Sequence, residues 1–175
     1  SLSNLNFSIH RGQTVGIIGG TGAGKTSLVN LIPRFYDASQ GRVLVNGVDV
    51  REYPQDQLRD KIGIVPQKAV LFGGSIADNL RWGKEDATRE ELMDALRISQ
   101  AEEFVEKREG GIDAMVAQNG KNLSGGQRQR LTIARALVRK PGILILDDSA
   151  SALDYATDAK LRKAIRQMDP SVTVL

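Results

Sequence analysis

Apolar residues recur along the first part of the chain with two different periods. Leu5, Phe7 and Ile9 alternate with polar neighbours, the period of a half-buried strand. Thr14-Val15-Gly16-Ile17-Ile18 is a short apolar run that suits a buried strand of a parallel sheet. A glycine-rich turn from Gly19 to Gly24 separates that run from Leu28, Leu31 and Ile32, which fall at helical spacing and are closed by Pro33. Arg42 to Val45 and Val48 to Val50 flank Asn46-Gly47, the strongest short hairpin signal. Ile62-Gly63-Ile64-Val65 predicts one more strand, ended by Pro66-Gln67.

Residues from about 73 to 139 then take a helical period. Thr88 and Glu91 form a capping box ahead of Leu92, Ala95, Leu96 and Ser99 on one helix face. A short helix over Ala101 to Lys107 stops at Gly110-Gly111. Ser124 stands at an N-cap position before Leu131, Ala134, Leu137 and Val138, and Pro141-Gly142 ends that helix. Ile143 to Leu146 is wholly apolar and runs into Asp147-Asp148. Ala159, Leu161, Ala164, Ile165 and Met168 mark a last amphipathic helix before the β-branched run Ser171 to Leu175. Strands alternating with helices imply an α/β fold with a parallel sheet and crossover helices.

Composition narrows the chemistry. A length of 175 residues suits one domain, with room for an inserted subdomain. The 24 Lys and Arg exceed the 21 Asp and Glu by only 3, and they are mixed along the chain, so no nucleic-acid partner is expected. Without cysteine there is no disulfide framework, thiolate metal site or thiol nucleophile. No window of about 18 apolar residues spans a membrane, and Ser1 to Asn6 lacks the basic and apolar regions of a signal peptide. The absence of an initiator Met and the abrupt β-branched end predict a piece of a longer protein, short at both ends.

The 18 glycines are clustered, and the clusters carry the chemistry. Gly19-Gly20-Thr21-Gly22-Ala23-Gly24-Lys25-Thr26 fits G-x-x-x-x-G-K-[ST]. Such a loop turns its backbone N–H groups towards phosphate where side chains do not block them, and it opens a helix whose N-terminus adds positive potential. Lys25 reaches the β- and γ-phosphates, the Thr26 hydroxyl is offered to Mg²⁺, and Ser27 is close enough to bond a phosphate oxygen. Asp147, at the carboxyl end of an apolar strand, is a second group able to hold Mg²⁺ through water. Leu123-Ser124-Gly125-Gly126-Gln127 taken alone is a well-capped helix start.

Together these segments resemble the nucleotide-binding domain of the ABC transporters over nearly the whole chain. In that family's order they give a Walker A loop (Gly19 to Thr26), a Q-loop glutamine (Gln67), the LSGGQ signature (Leu123 to Gln127), a Walker B strand (Ile143 to Asp147) and a D-loop (Ser151 to Asp154). Thr21 to Leu28, Pro33 to Asp37 and Leu71 to Leu80 look like the exporter branch, whose domains are usually fused behind membrane helices. The resemblance implies a P-loop, RecA-like parallel-sheet core with a small antiparallel β subdomain and an inserted helical subdomain, about 73 to 139, that carries the signature. It implies ATP and Mg²⁺ as cofactors, with Thr26, Gln67 and Asp147 at the metal. It also implies head-to-tail pairing with a second nucleotide-binding domain, so that Ser124, Gly125, Gly126 and Gln127 face ATP held by that partner. The implied setting is the cytoplasmic face of the membrane, with Phe72 and Trp82 either against the membrane domain's coupling helices or in ordinary subdomain core.

The chain departs from the family in instructive places. Where a Glu normally polarises the attacking water, this sequence has Asp148, one methylene shorter. At fixed backbone its carboxylate falls back by roughly 1 Å, enough to cost about a hundredfold. Lys25, Gln67 and Asp148 are thus the catalytic candidates of a slow site, a pattern that fits the degenerate half of a heterodimeric exporter. Ala117-Gln118-Asn119-Gly120 lacks the acidic residue usual before the signature. His10 is misplaced for the switch histidine, which is expected beyond Leu175, and the adenine-stacking aromatic is expected before Ser1. A soluble ABC ATPase outside transport, and a regulatory nucleotide site with little turnover, are the alternatives.

Overall fold

The computed structural model describes residues 1–149 and 151–175. In chain order its elements are α1 (Lys25–Val29), β1 (Leu44–Val45), β2 (Val48–Asp49), α2 (Gln55–Asp60), β3 (Ile62–Val65), β4 (Gly74–Ser75), α3 (Ile76–Arg81), α4 (Arg89–Ile98), α5 (Glu102–Glu106), β5 (Met115–Val116), α6 (Gly125–Leu137), β6 (Ile143–Leu146), α7 (Tyr155–Met168) and β7 (Thr173–Val174).

β3, β6 and β7 form a parallel sheet in that order, with Ile62 opposite Ile143, Val65 opposite Leu146, and Ile143 opposite Thr173. Successive residues of a strand point to opposite faces, and the apolar strands β3 and β6 use both. On β6 the buried Leu144 packs into a large cluster with Leu80, Leu96, Leu131 and Leu161. Its neighbour Ile145 packs into a smaller cluster with Val29, Val45, Leu58 and Ile62. The sheet is therefore covered on both sides, by α3, α4, α6 and α7 on one and by α1, α2 and the β1–β2 hairpin on the other.

The hairpin follows its turn chemistry. Asn46 and Gly47 both take positive φ, 52° and 78°, as a type I′ turn requires. Three helix starts share the reciprocal cap: Ser75 with Asp78, Thr88 with Glu91, and Ser124 with Gln127. No helix among the described residues is long and apolar enough to cross a membrane.

The N-terminal strands differ from their sequence pattern. Residues 1–10 form no regular structure, and Leu5 and Phe7 are exposed. The run at 14–18 makes one parallel bridge, Thr14 to Val174, with the Val15 N–H bonded to the Val174 carbonyl at 2.8 Å. Ile18 is 98% exposed. Alternation and apolarity specify which face a strand wants to bury; they do not supply the neighbour whose backbone must pair with it. α1 also ends early: Leu31 and Ile32 donate to Leu28 and Val29, three residues back, so the last turn tightens before Pro33. α2 and the antiparallel β4–β5 pair carry too few residues to leave a periodic signal, and neither was foreseen.

Candidate functional site

The site lies where β3 and β6 end and the glycine loop begins. Gly22 and Gly24 take φ of 79° and 99°, conformations that L side chains rarely adopt. A β-carbon on Gly24 would also stand 2.9 Å from the Leu2 side chain, whereas the space over Gly20 and Gly22 is open. The Lys25 ammonium donates to the Gly19 carbonyl, so its charge is held inside the curve of the loop. Thr21, Ala23 and Ser27 are exposed on the same rim.

The Asp147 N–H donates to the Val65 carbonyl at 3.0 Å, which carries the β3–β6 pairing one residue past the strand and fixes where the carboxylate points. The Thr26 hydroxyl donates to Asp147 Oδ2 at 2.9 Å, joining the first turn of α1 to the end of β6. Next to it, Gln67 Nε2 donates to Asp148 Oδ2 at 3.4 Å. The fold thus gathers Lys25, Thr26, Gln67, Asp147 and Asp148 at one edge of the parallel sheet, the ligand-binding edge of such sheets. Asp148 has φ of 49°, a left-handed backbone that Asp tolerates better than longer side chains do.

The signature is built as a separate corner. Ser124 Oγ accepts the Gln127 N–H at 3.2 Å, and Gln127 Oε1 accepts the Ser124 N–H at 3.0 Å. Gly125, in the first turn, is exposed with Ser124. No hydrogen bond among the described residues joins this corner to the loop at 19–27. A β-carbon on Gly126 would come 3.2 Å from the Ala152 carbonyl, so this glycine lets the 151–154 turn pass close by. That turn ends in Asp154, whose carboxylate caps α7 by accepting from the Thr157 N–H and hydroxyl. Those bonds hold the Asp154 carboxyl below its ordinary range.

Two arginines that the sequence did not single out brace the signature. Arg128 Nη1 donates to the Leu123 carbonyl at 2.9 Å. Arg130 donates to the carbonyls of Gly126 and Gln100 and lies 4.8 Å over the Phe104 ring. Partial burial pulls the Arg130 pKa down. The one sequence signal was position, since both lie within a turn or two of the cap.

On another face, Phe35, Arg59, Phe72, Trp82, Arg135 and Arg139 line a groove of about 330 Å³. Phe72 and Trp82 pack with ring centroids 4.9 Å apart, and Trp82 is 70% exposed. Asn79 pins the loop beneath them, accepting from the Phe72 N–H and donating to the Phe72 carbonyl. Trp82 is therefore a rim residue, not core.

Comparison with known proteins gives this geometry a lineage. The family model for ABC transporters matches residues 2–151. An uncharacterized ABC transporter ATP-binding protein of Bacillus subtilis, YfiB, is 49% identical over 94% of this chain and 29% of its own length. An ATP-dependent lipid A-core flippase of Chromobacterium violaceum is 42% identical over 100% of this chain and 30% of its own. A solved bacterial Atm1-family ABC exporter with ATP bound superposes with a TM-score of 0.88 at 39% identity, covering 93% of this chain and 29% of that one. The chain spans about three tenths of the length of the relatives it matches. The chain belongs to the ABC transporter family, as an ATP-binding domain of the exporter kind.

Proposed function

We propose that the chain is the ATP-driven motor domain of a membrane exporter, with a slow catalytic site of its own. The observation that carries this reading is the joined pair of contacts Thr26–Asp147 and Gln67–Asp148 beside the glycine loop.

The backbone from Gly19 to Gly24 cradles the phosphates, Lys25 balances their charge, and Ser27 bonds to a phosphate oxygen. The donor set suits Mg²⁺: the Thr26 hydroxyl and the Asp147 carboxylate lie within hydrogen-bond distance of each other, and hard oxygen ligands are what that ion takes. Gln67 completes the set. Held by Thr26, Gln67 and Asp147, a Mg²⁺ ion would supply neutralisation of phosphate charge. Asp148 accepts a proton from the attacking water and is oriented by the Gln67 amide. Its short side chain leaves that water about 1 Å beyond its best reach, which makes the site slow.

Ser124, Gly125, Gly126 and Gln127 serve the ATP of a second ABC domain packed head to tail. The capped helix start presents free N–H groups to that partner's γ-phosphate. A signature that is intact beside a catalytic Asp fits a heterodimer in which this chain completes the faster site. The domain lies at the cytoplasmic face of a membrane in which the full-length protein is integral, with the groove at Phe72 and Trp82 docked on its membrane portion.

Steady-state ATP hydrolysis by the full-length protein tests the reading. Asp148→Glu is expected to raise turnover at this site by roughly tenfold or more. Turnover that stays unchanged, with ATP binding intact, overturns the slow-site assignment.

A further inference from the structure

The groove at Trp82 holds three guanidinium groups and no carboxylate on its lining. Two of the three are satisfied within the chain. Arg139 pairs with Asp60 at 2.6 Å. Arg59 donates to the carbonyls of Pro33 and Arg34 and lies 5.1 Å over the Phe35 ring. Arg135 differs from both. Its Nη1 is buried without a hydrogen-bond partner among the described residues, and the guanidinium has only the face of Phe72, 5.9 Å away. Burial drives its pKa down, so its surroundings disfavour the charge and no anion compensates.

This cation is held in position. Gly83 passes so close to α6 that a β-carbon there would stand 2.0 Å from the Arg135 carbonyl oxygen. The turn that carries Trp82 is thus locked against the residue that carries the unmatched charge. The result is a fixed surface with exposed aromatic faces beside one guanidinium that lacks a counter-ion among the described residues.

We propose that Arg135 is the recognition residue of this groove, and that its occupant is an amphipathic helix of the membrane portion presenting an Asp or Glu to it. The apolar face of that helix meets Phe35, Phe72 and Trp82 while its carboxylate meets the guanidinium, and pairing removes the cost of an uncompensated, half-buried charge. About seven tenths of the length of its relatives lies outside this chain, so the occupant is sought there. The inference rests on the reading that the groove docks the membrane portion.

The test uses the full-length protein in lipid nanodiscs. Arg135→Glu is expected to lower ATP turnover roughly tenfold with ATP affinity unchanged, and one Asp→Lys or Glu→Lys exchange in the cytoplasmic helices of the membrane portion is expected to restore it. If no such exchange restores turnover while Trp82→Ala still depresses it, the groove docks the membrane portion without reading its charge, and the inference is overturned. If Trp82→Ala also leaves turnover unchanged, the docking reading itself fails. Where Arg135→Glu does not fold, Arg135→Gln combined with each acidic residue changed to its amide decides the matter. Coupling of roughly tenfold at one pair supports the proposal, and additivity at every pair overturns it.

Discussion

Asp148 illustrates how one residue can satisfy conformation and limit chemistry together. Its left-handed backbone favours a short side chain that can bond locally, and the same shortness draws the carboxylate away from the water it would activate. Asp148→Asn keeps both size and conformational preference while removing the base. Single-turnover phosphate release is expected to fall about a hundredfold, with nucleotide binding retained. Lys25→Ala acts at the other step, and ATP affinity measured by titration is expected to drop roughly ten- to hundredfold with the loss of a charge-assisted phosphate contact. Asp154 adds a pH dependence. Its pKa is lowered in the fold by the Thr157 bonds, so its contribution is fully present above the unfolded value near ~3.9 and is lost as pH falls through the lower folded value. Urea unfolding should therefore show Asp154→Asn converging on the parent protein as pH drops below about 4. The meeting of Thr26 with Asp147 and of Gln67 with Asp148 was legible because each is tied to a loop or strand end that the chain order names. Arg130 and Arg135 were not, because an arginine on a helix reads as solvated until the ring that covers it is known.

Among the elements, those announced by capping chemistry were the ones the sequence revealed best. α4 and α6 begin where Thr88 and Ser124 place them, since a cap needs only residues three apart. Ser124→Ala removes one half of the reciprocal cap and is expected to cost about 1 kcal/mol in urea unfolding. Strands gave up less. β3, β6 and the hairpin were legible because their partners lie within the described residues, while the run at 14–18 shows the period of a strand with only Thr14 paired. Gly83 was silent in the sequence, being one of many glycines. Gly83→Ala forces a β-carbon onto the Arg135 carbonyl; a destabilisation of several kcal/mol, seen as an early thermal transition, is the expected outcome.

At the scale of the whole molecule, the loop edge and the signature corner face different duties. The hydrogen bonds of each are closed within their own neighbourhood, and the proposed head-to-tail pair is what brings a loop to a signature. Because this chain has no native cysteine, the arrangement can be trapped directly. Ser124→Cys in this chain and a cysteine in the facing glycine loop of its partner are expected to cross-link on oxidation with ATP present, and to cross-link far less when the oxidant is added after hydrolysis. Cross-linking that ignores nucleotide would count against the pairing. The parallel sheet has one more consequence, for the order in which the molecule is made. Gln67 and Asp148 are 81 residues apart, and Thr26 and Asp147 are 121 apart. The helical block between them closes over much shorter stretches of chain. On a ribosome that block can collapse while the later strand is still being threaded out, and loop-closure entropy delays the long-range pairs in a test tube as well. Helicity should return early in refolding and nucleotide binding late, so the part of this protein that handles ATP is the last part of it to exist.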